Sequence, residues 1–382
     1  MGEQQDRFLR SAPSTGAEFS KGSDTWSILH LDPVLGSLLA LAGLVGLIAL
    51  YSASGADLAM TLKQASSMLI GTLVMLVLAR IPPSTYAYVS PWLYSFCLIL
   101  LLAVAVVGDV RLGAQRWLTI PGVTSVQPSE FLKLAMPMMS AWYLSSRPQP
   151  LRINDVVISL GLILLPVGLI AEQPDLGTSI LVFSSGFFVI FLGGLPWRFM
   201  GGIAATFAIC APIAWGFLHD YQRRRIHTLF DPESDPLGNG WNIIQSKTAI
   251  GSGGIFGKGW LDGSQSHLHF LPEGHTDFII AAYSEEFGFI GVVLLMLIYT
   301  AILARSFQIA TQAQSSYARL LAGAITLSFS VYVFVNVGMV SGILPVVGVP
   351  LPFVSYGGTA IITLMSGFGV LMSIHAHRKL MG

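Results

Sequence analysis

Residues 271–304 read LPEGHTDFIIAAYSEEFGFIGVVLLMLIYTAILA. The portion 279–304 is long enough, against the roughly 20 residues a bilayer requires, to predict one membrane-crossing helix. Its mouth gathers Glu273, His275, Asp277, Glu285 and Glu286 in a chain where only 10% of residues are charged. Asp277 stands where the chain re-enters the apolar medium. A carboxylate there loses part of its hydration, which raises its pKa from about 4 toward that of a useful base. The position equally suits a residue that, with Thr276, caps the free N–H groups of the next helix. Spacing leaves both roles open.

The rest of the 382-residue chain has the same character: 53% of it is hydrophobic and it holds 40 Gly. A soluble domain carries about 25% charged residues. The fold class is therefore all-α and polytopic in a membrane. Apolar runs at about 34–53, 65–80, 91–108, 128–145, 153–171, 176–194, 199–218, 279–304, 317–341 and 354–375 predict ten transmembrane helices. Pro137 and Pro166 interrupt two of them, which neighbouring helices in a bundle accommodate. One long extracytoplasmic loop, about 219–278, separates the seventh helix from the eighth. Its Trp241, Ile243, Ile244, Ile255, Phe256, Trp260 and Phe270 predict partial packing on the bundle or the bilayer surface. Residues 1–30 form a polar tail of disordered composition, and 31–382 a single transmembrane domain. The apolar stretch that starts near Val34 is too long for a secretory signal.

An even number of helices puts both termini on one side. That side carries Arg7, Arg10, Lys21, Arg80, Arg147, Arg152, Arg198, Arg305, Arg319, Arg378 and Lys379. The short loops opposite carry only Lys63, Arg111 and Arg116, so the positive-inside rule predicts cytoplasmic termini. Equal numbers of basic and acidic residues, 20 each, argue against a nucleic-acid partner. Cys97 and Cys210 lie in apolar runs and read as core residues.

In VQPSEFLKLAM (126–136), Glu130 and Lys133 share a helical face at the start of a span. An ionisable pair at membrane depth faces a protein interior or a wet cavity. It either fixes helix register or handles a charged headgroup. Arg116-Trp117 suits an interfacial anchor, guanidinium to phosphate and indole at headgroup level. In EQPDLGTS (172–179), Asp175 suits either a helix cap or a polar cavity. GSGGIFGKG (251–259) fails as a nucleotide loop, because Ser252 and Gly259 stand where Gly and Ser/Thr are needed. Its Lys258 on a Gly-rich backbone still suits an anionic group. DPESDPLG (231–238) fails as a calcium loop at Pro236. His267, His269 and His275 lack zinc-site spacing.

Taken together, QPSEFLKL, QPDLGTS, GNGWNIIQSKTAIGSGGIFGKG, LPEGHTDFI, EEFGFIG and LPFVSYGG resemble the signatures of the SEDS family (shape, elongation, division and sporulation), in order from first span to last. The GHTDFI wording and short tail are closer to its elongation, RodA-type branch than to its division branch. The resemblance implies a peptidoglycan glycosyltransferase of the bacterial cytoplasmic membrane, polymerising lipid II into glycan strands at the outer face during elongation and rod-shape maintenance. It places the essential acid on Asp277 and cavity residues on Glu130, Lys133 and Asp175. It implies a class B penicillin-binding protein, a transpeptidase, as partner, together with the elongation machinery. Inversion with undecaprenyl pyrophosphate as leaving group needs one carboxylate, unlike the pair used by glycoside hydrolases. Arg116, Lys133 and Lys258, or a divalent cation (Mg or Mn) near Asp277 or Asp175, are expected to neutralise that group; no organic cofactor is implied. A lipid II flippase without polymerase activity is the alternative.

Overall fold

The computed structural model describes residues 31–111, 114–120, 124–217, 220–235, 238–264 and 274–378. The tail 1–30, His267, His269, Phe270 and Glu273 lie outside them. Each predicted interval holds a helix: α1 (Pro33–Ala53), α2 (Leu58–Ala79), α3 (Pro83–Val107), α4 (Pro128–Ser145), α5 (Ile153–Glu172), α6 (Leu176–Leu192), α7 (Trp197–Phe217), then, after the long loop, α10 (Ile279–Thr311), α11 (Ser316–Val340) and α12 (Gly358–Ala376). By length and composition α1, α2, α3, α5, α10, α11 and α12 are seven helices able to cross a membrane. The apolar α6 has 17 residues, and the 18-residue α4 carries Glu130 and Lys133.

Several boundaries move for identifiable reasons. Helix α2 starts at Leu58 because Asp57 caps it, accepting from the Ala59 and Met60 N–H groups at 2.8 and 3.1 Å. Helix α12 starts at Gly358, not 354. The preceding turn is closed by Ser355 Oγ, which accepts from Leu351 N–H at 2.8 Å, and by Gln64 of α2, which donates to Ser355 O at 2.9 Å. The loop 109–126 is a three-stranded antiparallel sheet, β1 (Asp109–Arg111), β2 (Ala114–Ile120) and β3 (Thr124–Val126), in the order β1-β2-β3. The long loop contains α8 (Asp220–Phe230), a 3-10 turn (Pro232–Ser234) and α9 (Asn239–Gly253).

Outward faces carry apolar stripes. Leu69, Leu73 and Val77 recur at four-residue steps on α2 and are 63%, 55% and 63% exposed, the pattern of a helix whose solvent is hydrocarbon. The interior is knitted by aromatics: Phe329 of α11 lies 5.7 Å from Tyr299 of α10, 6.3 Å from Phe353 and 5.4 Å from Phe368 of α12. The Tyr299 hydroxyl donates to Pro352 O at 2.7 Å, so the 341–357 loop is anchored in this cluster.

The long loop packs on the bundle chiefly through α9: of the apolar residues named above Ile243 is buried and Trp260 reaches Ile48 O of α1, whereas Ile255 and Phe256 are exposed. Gly240, Ile243, Ser246 and Ala249 form the buried face of α9, and Ser246 Oγ donates to Val340 O of α11 at 2.8 Å. The residues after α9 splint a break in α10. Gly288 (φ +64°) interrupts that helix, and the freed groups find partners in the loop. Phe289 and Ile290 N–H donate to Gly254 and Ile255 O at 3.0 and 3.1 Å. Lys258 and Gly259 N–H donate to Glu285 and Glu286 O at 3.0 and 3.1 Å. These four bonds replace helical ones at the break. A Cβ at Gly288 would stand 2.3 Å from Gly257 N. Gly288→Ala is therefore expected to lower the stability of the detergent-solubilised protein by about 1–3 kcal/mol, the usual cost of overpacking. Gly251→Ala on α9, where an added Cβ meets nothing, should leave it unchanged. Thermal unfolding of the two variants checks this.

At the opposite end of the bundle, Asp32 accepts from Leu35 N–H and from Arg305 of α10, at 2.5 Å for the closer guanidinium contact, with His375 of α12 at 3.3 Å. Burial pushes the Asp32 pKa up, but the Arg305 and Leu35 hydrogen bonds, with the nearby His375 ring and Arg305 charge, outweigh it and hold the carboxyl below its ordinary value. This cluster ties α1, α10 and α12 together at that end.

Candidate active site

One end of the bundle collects the starts of α4, α6, α10 and α12 and the end of α11. Four of the sequence-predicted residues pair there, Glu130 with Lys133 and Arg116 with Asp175. Helix α4 begins at Pro128, whose missing N–H suits a first turn, and carries Glu130 and Lys133 inward. Lys133 Nζ lies 2.5 Å from Glu130 Oε1 and 5.5 Å from the centre of the Tyr332 ring of α11. Both side chains are buried, about 8% and 11% exposed. Glu130 Oε2 is buried and has no hydrogen-bond partner among the described residues. A small apolar cleft runs from Lys133 between α4, α11 and α12, walled by Leu134, Phe329, Leu364 and Phe368.

Asp175 caps α6, accepting from Thr178 N–H at 3.1 Å through Oδ1 and from Gln127 Nε2 at 3.0 Å through Oδ2. Arg116 of β2 lies 3.8 Å from Oδ2. Its Nε donates to Gln173 O at 3.0 Å and its Nη2 to Pro174 O. The guanidinium expected to meet a lipid phosphate is thus spent on the 173–175 turn. It positions Asp175, and the unforeseen sheet is what brings it there.

Asp277 lies in the turn before α10 and is half-buried. The helix itself starts at Ile279, with Phe278 at its N-cap and no side-chain cap. The turn is stapled to the 341–357 loop. Asn336 of α11, fully buried, donates to Asp277 O at 2.8 Å and to Val349 O at 2.7 Å. Tyr356 N–H donates to His275 O at 3.0 Å. The carboxylate lies beside Gly348 (φ +77°), where an added Cβ would stand 3.3 Å from Asp277 Oδ2. On its other side the loop presses on α6: a Cβ at Gly177 would stand 2.7 Å from Val347 O. The loop therefore joins the Asp175 turn to the Asp277 turn. Tyr332 beneath Lys133 and Asn336 beneath Asp277 are one turn apart on α11, a rise of about 6 Å.

Lys258 does not join this group by any contact. Its Nζ lies 2.5 Å from Glu285 Oε1 and donates to Ser264 Oγ at 2.9 Å. Glu285 is fully buried, and the adjacent Glu286 accepts from Ser52 of α1. Lys258 thus charges the splint at the α10 break. Asn336, Tyr332 and Gln127 were missed by sequence reading; for Asn336 the available signal was an amide near the end of an apolar span.

A resident divalent cation fits poorly. Both Asp175 oxygens are committed to N–H donors, and no group of three His, Cys, Asp or Glu able to hold a metal occurs among the described residues.

The family model described as cell cycle protein, FTSW_RODA_SPOVE, matches residues 33–380. The chain is 51% identical over 357 residues to the peptidoglycan glycosyltransferase MrdB of Escherichia coli strain K12, covering 93% of this chain and 96% of that protein. It superposes with a TM-score of 0.79 and 31% identity on a chain from a solved structure described as structural coordination of polymerization and crosslinking by a peptidoglycan synthase complex, covering 91% of this chain and 99% of that one. The crystal structure of the rod shape determining protein RodA of Thermus thermophilus gives a TM-score of 0.69 at 29% identity, with 91% and 98% covered.

Proposed function

Since the chain belongs to the cell cycle protein family FTSW_RODA_SPOVE, we propose that it is a peptidoglycan glycosyltransferase that joins lipid II units into glycan strands. The similarity to a glycosyltransferase and to a rod shape determining protein supports placing it in elongation. One observation carries the reading. Asp277, half-buried, is held by its backbone from two sides, one turn of α11 from Tyr332, over whose ring Lys133 of α4 lies.

The chemistry follows from that arrangement. Asp277 takes the proton of the acceptor's 4-hydroxyl as its oxygen attacks the anomeric carbon of the donor. The bond from that carbon to the diphosphate breaks, undecaprenyl diphosphate leaves, and the α-linked donor becomes a β-linked product. Charge on the leaving group falls to Lys133, which Glu130 orients. The unfilled Glu130 Oε2 accepts a donor of the bound headgroup. Asp175 keeps the polar wall in place, and the apolar cleft beside Lys133 suits a prenyl chain.

The positive-inside rule supports an orientation in the bacterial cytoplasmic membrane with both termini cytoplasmic. Arg80, Arg147, Arg152, Arg198, Arg305 and Arg319 lie at the end where α1 begins, and Lys63 and Arg116 at the site end. The site then opens outward, where a class B penicillin-binding protein would crosslink the product; the likeness to a chain of a synthase complex supports such a partner.

Purified protein incubated with lipid II, with and without that partner, is expected to produce glycan polymer on a gel. Movement of lipid II across vesicles with no polymer under either condition would establish the flippase reading instead.

A further inference from the structure

A second cavity, of about 230 Å³, opens at the other end of the bundle, between the end of α6, the end of α10 and the start of α11. Its walls are apolar: Leu192, Phe307 and Leu320, with Gly323. A Cβ at Gly323 would stand 2.5 Å from Leu192 Cδ1, so the glycine is what lets that leucine seat against α11. Polar groups gather among its lining residues: Gln149 from the α4–α5 connection, and Ser316 and Arg319 at the start of α11.

Two cations near this end are already paired. Arg305 lies 2.5 Å from Asp32, and Arg147 lies 3.5 Å from Asp155 and over the Tyr143 ring. Arg319 is exposed and makes no ion pair among the described residues. Two features therefore coincide: an unpaired guanidinium, which presents planar donors to a phosphate, and an apolar-walled cavity. A soluble phosphate would leave the walls unfilled, and a neutral hydrocarbon would leave the guanidinium unmet.

We infer that this cavity binds one anionic phospholipid of the cytoplasmic leaflet, its phosphate on Arg319 and part of one acyl chain between Leu192, Phe307 and Leu320. Basic pockets between membrane helices on that side are suited to such headgroups. The inference rests on the orientation proposed above. Because its readout is lipid retention and not polymer, its failure and a failure of the polymerase assignment are distinguishable.

The test uses the purified full chain in neutral detergent, titrated with phosphatidylglycerol, with phosphatidylcholine of the same chains and with glycerol phosphate, and followed by native mass spectrometry. The wild-type chain is expected to retain one phosphatidylglycerol in preference to phosphatidylcholine. Arg319→Gln should weaken that binding about fivefold, the effect of one basic group near a phosphate. Arg80→Gln, at another exposed cation of the same end, should leave it unchanged. Undiminished retention by Arg319→Gln, or an equal loss in Arg80→Gln, would overturn the site. Displacement of the lipid by glycerol phosphate at the lipid's own concentration would overturn the part assigned to the acyl chain.

Discussion

Asp277→Asn is expected to abolish polymer formation from lipid II while leaving the fold intact. The turn that holds this residue is fastened through main-chain atoms: Asn336 donates to the Asp277 carbonyl and Tyr356 N–H to the His275 carbonyl. An amide of the same shape keeps both and still fits beside Gly348. What it loses is the ability to accept a proton. Removal of a general base costs typically about 10²–10⁴ in rate. Melting in detergent should change far less than polymer formation does, because both main-chain bonds remain. A variant that polymerises lipid II at the parental rate would remove Asp277 from the reaction. A variant that fails to fold would show instead that the carboxylate supports the turn.

The Glu130–Lys133 pair gives the second large effect, in two steps. Lys133→Met leaves Glu130 buried and without its cation, and breaking a buried pair by removing one partner costs about 3–5 kcal/mol. Glu130→Gln combined with Lys133→Met removes both charges, and such replacements are often neutral for stability. The double variant is therefore expected to recover most of the melting temperature lost by the single one. Polymer should not return with it, because the diphosphate still lacks its cation. If the double variant regains both stability and polymer, the pair only sets the register of α4 against α11 and Lys133 has no part in the chemistry.

The ten helical intervals were readable because long apolar runs punctuated by Gly and Pro leave few alternatives in a bilayer. Their contacts were less readable. The short β1 and β3 of the sheet at 109–126 are three residues each, too brief for alternation to show. Without that sheet, Arg116 looked like a surface anchor when it holds the turn before α6. Lys258 looked like a phosphate ligand because its charge was visible and its buried partner, Glu285, belongs to another element. Asp277 was readable as a carboxylate at a boundary, but its clamp is Asn336, 59 residues away. Sequence spacing says what a residue can do within a turn or two; partners across the bundle are set by packing.

The interruption at Gly288 has a mechanical consequence. A rigid rod of 33 residues would pass every tilt of its lower part, as the surrounding lipid thickens or thins, straight to its tip. With the rod cut at its tenth residue and spliced sideways to the 254–259 strap, the lower segment can lean while the upper one stays level. The Asp277 turn then stands on the short segment, beyond a joint held by four main-chain bonds.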